Sequence, residues 1–368
     1  MNIGCLKEIK PGENRVGLTP DGAKALVSRK HAVWIEKDAG LKSGFPDGEY
    51  EKAGARILGT PQDVAQKSDL IIKVKEPVAQ EWPVFKEGQS LFTYLHLASA
   101  REVTDFLLKR KISGIAYETV ELPSGELPLL TPMSEVAGRM AVQVGAHYLE
   151  RTQGGSGRLL GGVPGVPPAR IVILGTGIVG MNACKVAFGM GADVTMIGRN
   201  ARQLRSIDDL YHGTVRTLFS SPPNIESAVR EADLLVGAVL LTGAAAPKLV
   251  SRGMVRQMKP GSVIVDVAID QGGSIETIRP TSHENPVYVE EGVIHYAVTN
   301  MPGAVPHTST LALTNATLPF LLEIADKGIP GVFKGSPPLR KGLNTWQGKL
   351  THQGVAEAFG LDWEEPQF

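Results

Sequence analysis

A chain of 368 residues is long for one domain and comfortable for two. Hydrophobic residues at 42% can build a sizeable core, while 38 basic against 38 acidic side chains leave no global field to draw nucleic acid or an acidic membrane. Two cysteines (Cys5 and Cys184) exclude a disulfide scaffold, and the absence of a signal-like start or of 18 consecutive apolar residues points to a soluble cytoplasmic protein.

In chain order, residues 32–37 (AVWIEK) and 70–74 (LIIKV) read as short strands, with helical segments at 21–30 and 47–54. A strand at 90–95, a helix at 101–111 and a strand at 114–118 continue the rhythm of a parallel sheet flanked by helices. A long helix is expected over 134–150 with Ser134 as its cap. The Gly- and Pro-rich stretch 154–168 must be a loop. Strands are then expected at 170–174, 193–197, 215–219, 234–237 and 262–266, with helices between them. A helix over about 310–327 leads into a C-terminal segment without a strong period. The fold class is α/β, two doubly wound Rossmann-like domains.

Gly175-Thr-Gly177-Ile-Val-Gly180 follows the apolar run ARIVIL and opens an apolar-periodic helix. Gly175 suits a tight turn, Gly177 a close approach of backbone to a pyrophosphate, and Gly180 a close helix–strand contact. The helix N-terminus adds free N–H groups and positive dipole. An acidic residue is expected at the end of the next strand, to bind ribose hydroxyls. This chain instead has Gly198-Arg199-Asn200, with Arg202 and Arg205 behind. A carboxylate would repel the 2′-phosphate of NADP; a glycine clears volume for it, and an arginine binds it. The bland alternative is a solvated loop arginine.

Eight segments in order resemble the alanine dehydrogenase family nearly end to end. They are KEIKPGENRVGLTP, VKEP, FTYLHLA, TPMSEVAGRMAVQVGA, LLGGVPGV, DVAIDQGG, NMPGAVPHTST and KGLNTWQGKLTHQGVAEAFG. The resemblance implies reversible oxidative deamination of L-alanine to pyruvate and ammonium with hydride transfer to NAD or NADP. It also implies a homohexamer, and a dinucleotide-binding domain (131–306) inserted into a discontinuous substrate domain (1–130 plus 307–368). Members that use NAD carry Asp where Gly198 stands, so NADP(H) use is expected here. Gln203 departs from a Lys found in some members. Lys327 replaces a His that joins a Glu as metal ligand in some members; with Glu323 left as one carboxylate, no metal is expected.

Hydride exchange with a keto or imino acid needs cations for the carboxylate, an acid/base for the carbonyl oxygen or water, and a held hydride carrier. By itself, Arg15 in GENR reads as a surface residue, His96 between two leucines as a packed one, and Asp270 before QGG as a turn residue. Lys75 and His96 nevertheless follow strands at the carboxyl ends, where α/β proteins place ligands. The resemblance assigns Arg15 and Lys75 to the substrate and His96 and Asp270 to catalysis. It places Ser134, Ile178, Val179, Ser220, Val239, Leu240, Val267, Asp270, Arg279, Val298, Asn300 and Met301 near the cofactor, with Gly175, Gly177, Gly180, Gly198, Arg199, Asn200, Arg202 and Gln203. The remaining histidines, among them His295 and His352, read as packing or surface residues. A nucleotide-binding subunit of a proton-translocating transhydrogenase is the main competing reading, a saccharopine dehydrogenase relative or a redox sensor weaker ones. The coexistence of Arg15, Lys75 and His96 favours the dehydrogenase.

Overall fold

The computed structural model describes residues 1–239 and 246–368. It divides into two compact units, Met1–Met133 joined by Val305–Phe368, and Ser134–Ala304. The first unit is therefore discontinuous, with the second inserted into it.

Six strands precede the insertion: β1 (Asn2–Cys5), β2 (Ala32–Glu36), β3 (Arg56–Leu58), β4 (Leu70–Ile72), β5 (Ser90–Thr93) and β6 (Ser113–Ala116). Within it lie β7 (Arg170–Leu174), β8 (Asp193–Gly198), β9 (Arg216–Phe219), β10 (Leu234–Gly237), β11 (Val263–Asp266), β12 (Val287–Glu290) and β13 (Val293–Tyr296). After it come β14 (Leu343–Trp346) and β15 (Lys349–Leu350). Among the described residues, the first unit carries an eight-stranded sheet ordered β15-β14-β6-β5-β4-β1-β2-β3, the second a seven-stranded sheet ordered β12-β13-β11-β10-β7-β8-β9. β1–β6 pair in parallel, as do β7–β11 with β13. Strand order reverses at β1/β4 in the first sheet and β7/β10 in the second, the switch points at which doubly wound sheets take ligands.

Both faces of the first sheet are covered, which explains its short continuous apolar strands. Leu70 and Ile72 join Phe92, Tyr117, Leu313 and Ile324 on one side, while Ile71 joins Leu91, Phe106 and Leu107 on the other. In the second unit Val172, Leu174, Leu235, Ile264 and Ile275 form a core of the same kind. Helix starts follow local chemistry. Thr19 caps Pro20–Ser28 by accepting from the Gly22 amide at 3.2 Å, and Thr60 caps Pro61–Lys67 through the Asp63 amide at 3.2 Å.

Two expectations need correction. The long helix is Thr131–Leu149, so Ser134 lies inside its first turn and is not its cap. Pro132 explains this, because proline is preorganised for a first turn whose N–H groups have no partner anyway. The C-terminal segment is also more regular than its weak period suggests. β14 and β15 form an antiparallel hairpin whose Gln347 and Gly348 both have positive φ (49° and 83°), and Gln353–Phe359 is a helix. Among the described residues no helix is long and apolar enough to cross a membrane.

Candidate active site

In the first unit the carboxyl end of β4 is fixed by a buried ion network. Glu8 accepts the Val74 amide at 2.6 Å and the Lys75 amide at 3.3 Å. Lys73, fully buried, reaches Glu8 at 3.1 Å and Glu81 at 2.7 Å. Burial pushes the Glu8 carboxyl above its usual range. Burial alone would lower the Lys73 ammonium, but its two carboxylates hold it above the ordinary value. The network sets the path of the segment that carries Lys75.

Lys75 is half-buried and its ammonium pairs with no carboxylate among the described residues. Burial first, then the charge of Arg15, lower its pKa. Arg15 is itself 2% exposed and forked onto Glu13, Nε to Oε1 at 2.7 Å and Nη2 to Oε2 at 2.5 Å. Burial would raise Glu13, but the guanidinium's hydrogen bonds and charge win and bring it down to about 2. The arginine expected as a surface residue on its own is therefore buried and oriented.

His96 follows β5 in a left-handed backbone conformation, φ 48° and ψ 38°. Its amide donates to Glu118 at 2.5 Å, and the Leu95 amide donates to the same carboxylate at 3.2 Å. The imidazole is exposed and stacks on Tyr94, with ring centroids 5.8 Å apart and planes 9° from parallel. Tyr94 in turn donates to the Leu129 carbonyl. Tyr94, on which His96 stacks, feels the charges of Arg15 and Glu13, and Lys75 feels the same two, so Arg15, Lys75 and His96 gather around Tyr94 and Glu13 at the strand ends. Glu13, Tyr94 and Glu118 escaped sequence reasoning because nothing in their local pattern marks them.

In the second unit a cavity of about 450 Å³ lies over the β7–helix turn. It is lined by the glycine-rich turn together with Ser134, Ile178, Val179, Gly198, Arg199, Asn200, Gln203, Ser220 and Val239. Gly175 has φ 115°, and a Cβ there would sit 2.4 Å from the Ala238 carbonyl oxygen. A Cβ at Gly177 would meet nothing within 4 Å among the described residues, so the turn leaves open space where a pyrophosphate needs close backbone approach. Gly180 is required by the closeness of the helix to the turn, its Cβ falling 2.1 Å from the Gly175 oxygen. These residues fit a dinucleotide.

One feature of the cavity differs from expectation. The side of Gly198 on which a Cβ would project is not clear volume; it is filled by Thr176, whose Cγ2 would be 2.5 Å away. Asn200 caps the helix Ala201–Tyr211, its Oδ1 accepting the Arg202 and Gln203 amides at 3.0 and 3.2 Å. Of the other expected positions, Arg202, Val267, Asp270, Arg279, Val298, Asn300 and Met301 do not line this cavity. Asp270 is exposed on the turn Val267–Gln271 after β11, a turn anchored by buried Asp266 through the Ala268 and Ser274 amides at 3.0 and 2.6 Å. Burial pushes Asp266 above its ordinary pKa. The Arg279 guanidinium lies 3.9 Å over the Tyr288 ring. Val298 and Met301 are buried, and Asn300 has φ 60°. Leu240 lies outside the described residues. In the first unit Glu323 is engaged by Lys327 at 2.8 Å and by Ser336 at 3.1 Å.

Comparison with known proteins gives a concordant result. Residues 4–137 match the family description "Alanine dehydrogenase/PNT, N-terminal domain" and residues 141–353 match "Alanine dehydrogenase/PNT, C-terminal domain". The chain is 59% identical over 364 residues to an alanine dehydrogenase of Methanococcus maripaludis, covering 99% of this chain and 98% of that one. It is 56% identical over 364 residues to an alanine dehydrogenase of Staphylococcus haemolyticus, covering 99% and 97%. A solved L-alanine dehydrogenase superposes with a TM-score of 0.96 at 50% identity, covering 98% of this chain and 99% of that one. A transhydrogenase from Sinorhizobium meliloti is more distant, with a TM-score of 0.82 and 27% identity over 96% of this chain and 99% of that one.

Proposed function

Since the chain belongs to the alanine dehydrogenase/PNT family, we propose that it interconverts L-alanine with pyruvate and ammonium, and does so with NADP(H). The observation that carries the substrate reading is the neighbourhood of Lys75 and Arg15. Glu13 is taken up by the Arg15 guanidinium, while the half-buried Lys75 ammonium beside them pairs with no carboxylate among the described residues, which leaves one positive charge at the end of β4 for an anionic substrate.

A bound nicotinamide dinucleotide supplies the hydride acceptor for alanine oxidation and the hydride donor in reverse. The Gly175–Gly180 turn would hold its pyrophosphate. Arg15, oriented by Glu13, binds the substrate carboxylate, and Lys75 the oxygen that becomes the carbonyl. His96, its backbone clamped by Glu118, gives a proton to that oxygen in reduction and takes it back in oxidation. The Asp270 carboxylate takes a proton from the attacking water. The enzyme works in the cytoplasm as a homohexamer without a metal.

NADP(H) use rests on Gly198, which brings no carboxylate against a 2′-phosphate, and on Arg199 in the cavity lining. The native chain should show a larger kcat/KM with NADPH than with NADH in pyruvate amination. Arg199→Ile should reduce NADPH use about 10- to 100-fold, one charge-assisted contact, and leave NADH use near its starting level. Equal losses with both dinucleotides would remove the arginine from cofactor choice. No pyruvate amination with either would overturn the reaction itself.

A further inference from the structure

Gly198 ends β8, and its side-chain direction is closed. A Cβ built there lies 2.5 Å from Thr176 Cγ2, 2.9 Å from Thr176 Oγ1 and 3.3 Å from Thr176 Cβ. Both branches of a β-branched side chain face the glycine, so rotating χ1 exchanges one heavy atom for another without emptying the space. Thr176 is also tied in place. It is 9% exposed, and its Oγ1 donates to Gln203 Oε1 at 2.6 Å. That bond turns the acceptor end of the Gln203 amide toward Thr176. Its Nε2 donates to no described residue, while Gln203 lines the cavity beside Arg199. Asn200, which caps the same helix through the Gln203 amide, keeps this residue's backbone fixed.

We propose that Thr176, between the first two motif glycines, is a second determinant of dinucleotide choice. It bars any side chain at 198, and with it the carboxylate that would bind the free 2′-hydroxyl of NAD(H). Through its hydroxyl it also turns the Gln203 amide so that N–H donors, with Arg199, face a 2′-phosphate. The proposal rests on the NADP(H) reading and deepens it. Glycine at 198 is not merely permissive: it is demanded by the threonine across from it. Restoring an acidic residue at 198 therefore cannot by itself restore NAD(H) recognition.

The test compares four proteins with the native chain: Thr176→Val, Arg199→Ile, the double variant Gly198→Asp/Arg199→Ile, and that double variant with Thr176→Gly added. Dissociation constants for NAD+ and NADP+ are measured by calorimetry without substrate, together with Tm and with kcat/KM for NADH and NADPH. The double variant should lose NADP+ affinity, gain little for NAD+ and melt lower than the native chain. Adding Thr176→Gly should tighten NAD+ by about 10- to 100-fold, the worth of one carboxylate–hydroxyl contact, and recover melting temperature. Valine keeps the bulk but not the hydroxyl, so Thr176→Val should weaken NADP+ by about 3- to 10-fold, a neutral hydrogen bond, and leave NAD+ unchanged. A double variant that binds NAD+ as tightly as the triple one, with no loss of Tm, overturns the exclusion. A Thr176→Val variant with native NADP+ affinity overturns the Gln203 part. A native chain that prefers NAD+, with a ratio unmoved by Arg199→Ile, instead defeats the NADP(H) reading; the difference between double and triple variants still decides whether Thr176 closes position 198.

Discussion

Glu13 and Arg15 are 3% and 2% exposed, so neither charge is tolerable without the other. Glu13 takes up its proton near pH 2 in the folded chain, against an ordinary 4.5. Between those values the unfolded chain binds more protons, so the pair's stabilisation is complete above about pH 4.5 and lost as pH falls toward 2. Glu13→Gln should cost on the order of 3 kcal/mol at neutral pH, and its deficit should shrink below pH 4.5. Urea midpoints at several pH values measure this; a deficit constant with pH would mean the charge is not its source. His96 makes a different demand. Its left-handed backbone is costly for a residue with a side chain, and Glu118 holds it through two amides. His96→Ala should cut turnover by roughly 100-fold or more, the usual contribution of a general acid/base, with Tm little changed. Near-native turnover in a folded variant would free His96 of that role. Neither Glu13 nor Glu118 was visible in advance, because a carboxylate's partner is set by the path of the chain around it.

At the scale of elements, the dinucleotide cavity depends on how closely helices approach. A Cβ on Gly138, in Thr131–Leu149, would lie 2.3 Å from the Val179 carbonyl oxygen in Ile178–Gly189. Backbone cannot yield as a flexible side chain does, so Gly138→Ala must part the two helices. The expected cost is about 1–3 kcal/mol, a Tm lower by a few degrees. Because Ile178 and Val179 line the cavity, dinucleotide affinity should fall as well. Unchanged melting and affinity would show that the helices can shift freely. The parallel core strands were legible because they are apolar runs between turn signals. The hairpin β12–β13 was not: its strands are four residues each, joined by Glu291-Gly292, both at positive φ, and Glu-Gly is a weak hairpin signal beside Asn-Gly. The start of Thr131–Leu149 was misplaced because Ser134 offered a plausible cap while Pro132 already opened the helix.

For the whole molecule, the proposed homohexamer predicts a mass by light scattering of six times the 39.3 kDa chain, and a monomer mass at micromolar concentration would overturn it. The inserted unit is a property of the fold that periodicity could only leave open: after residue 306 the apolar pattern says helix, not which sheet that helix covers. Leu313, Leu321 and Ile324 of Pro306–Lys327 settle it by joining the core of the first sheet. By itself the sequence determined the dinucleotide turn: the left-handed backbone of Gly175 and the contact of Gly180 with the Gly175 carbonyl are both local to six residues, although the Ala238 carbonyl that also crowds Gly175 is brought there by the sheet. It also determined the strand ends that carry Lys75 and His96, which follow from apolar runs and their limits. Tertiary structure decided what each of these residues faces. The fork of Glu13 onto Arg15, the clamp of Glu118 behind His96 and the threonine filling the space beside Gly198 all depend on strands and turns brought side by side. A turn or a helix start is written in neighbouring residues because it is local backbone strain and capping; a side chain's charge state and room to move are set by atoms that only the order of the sheet brings near.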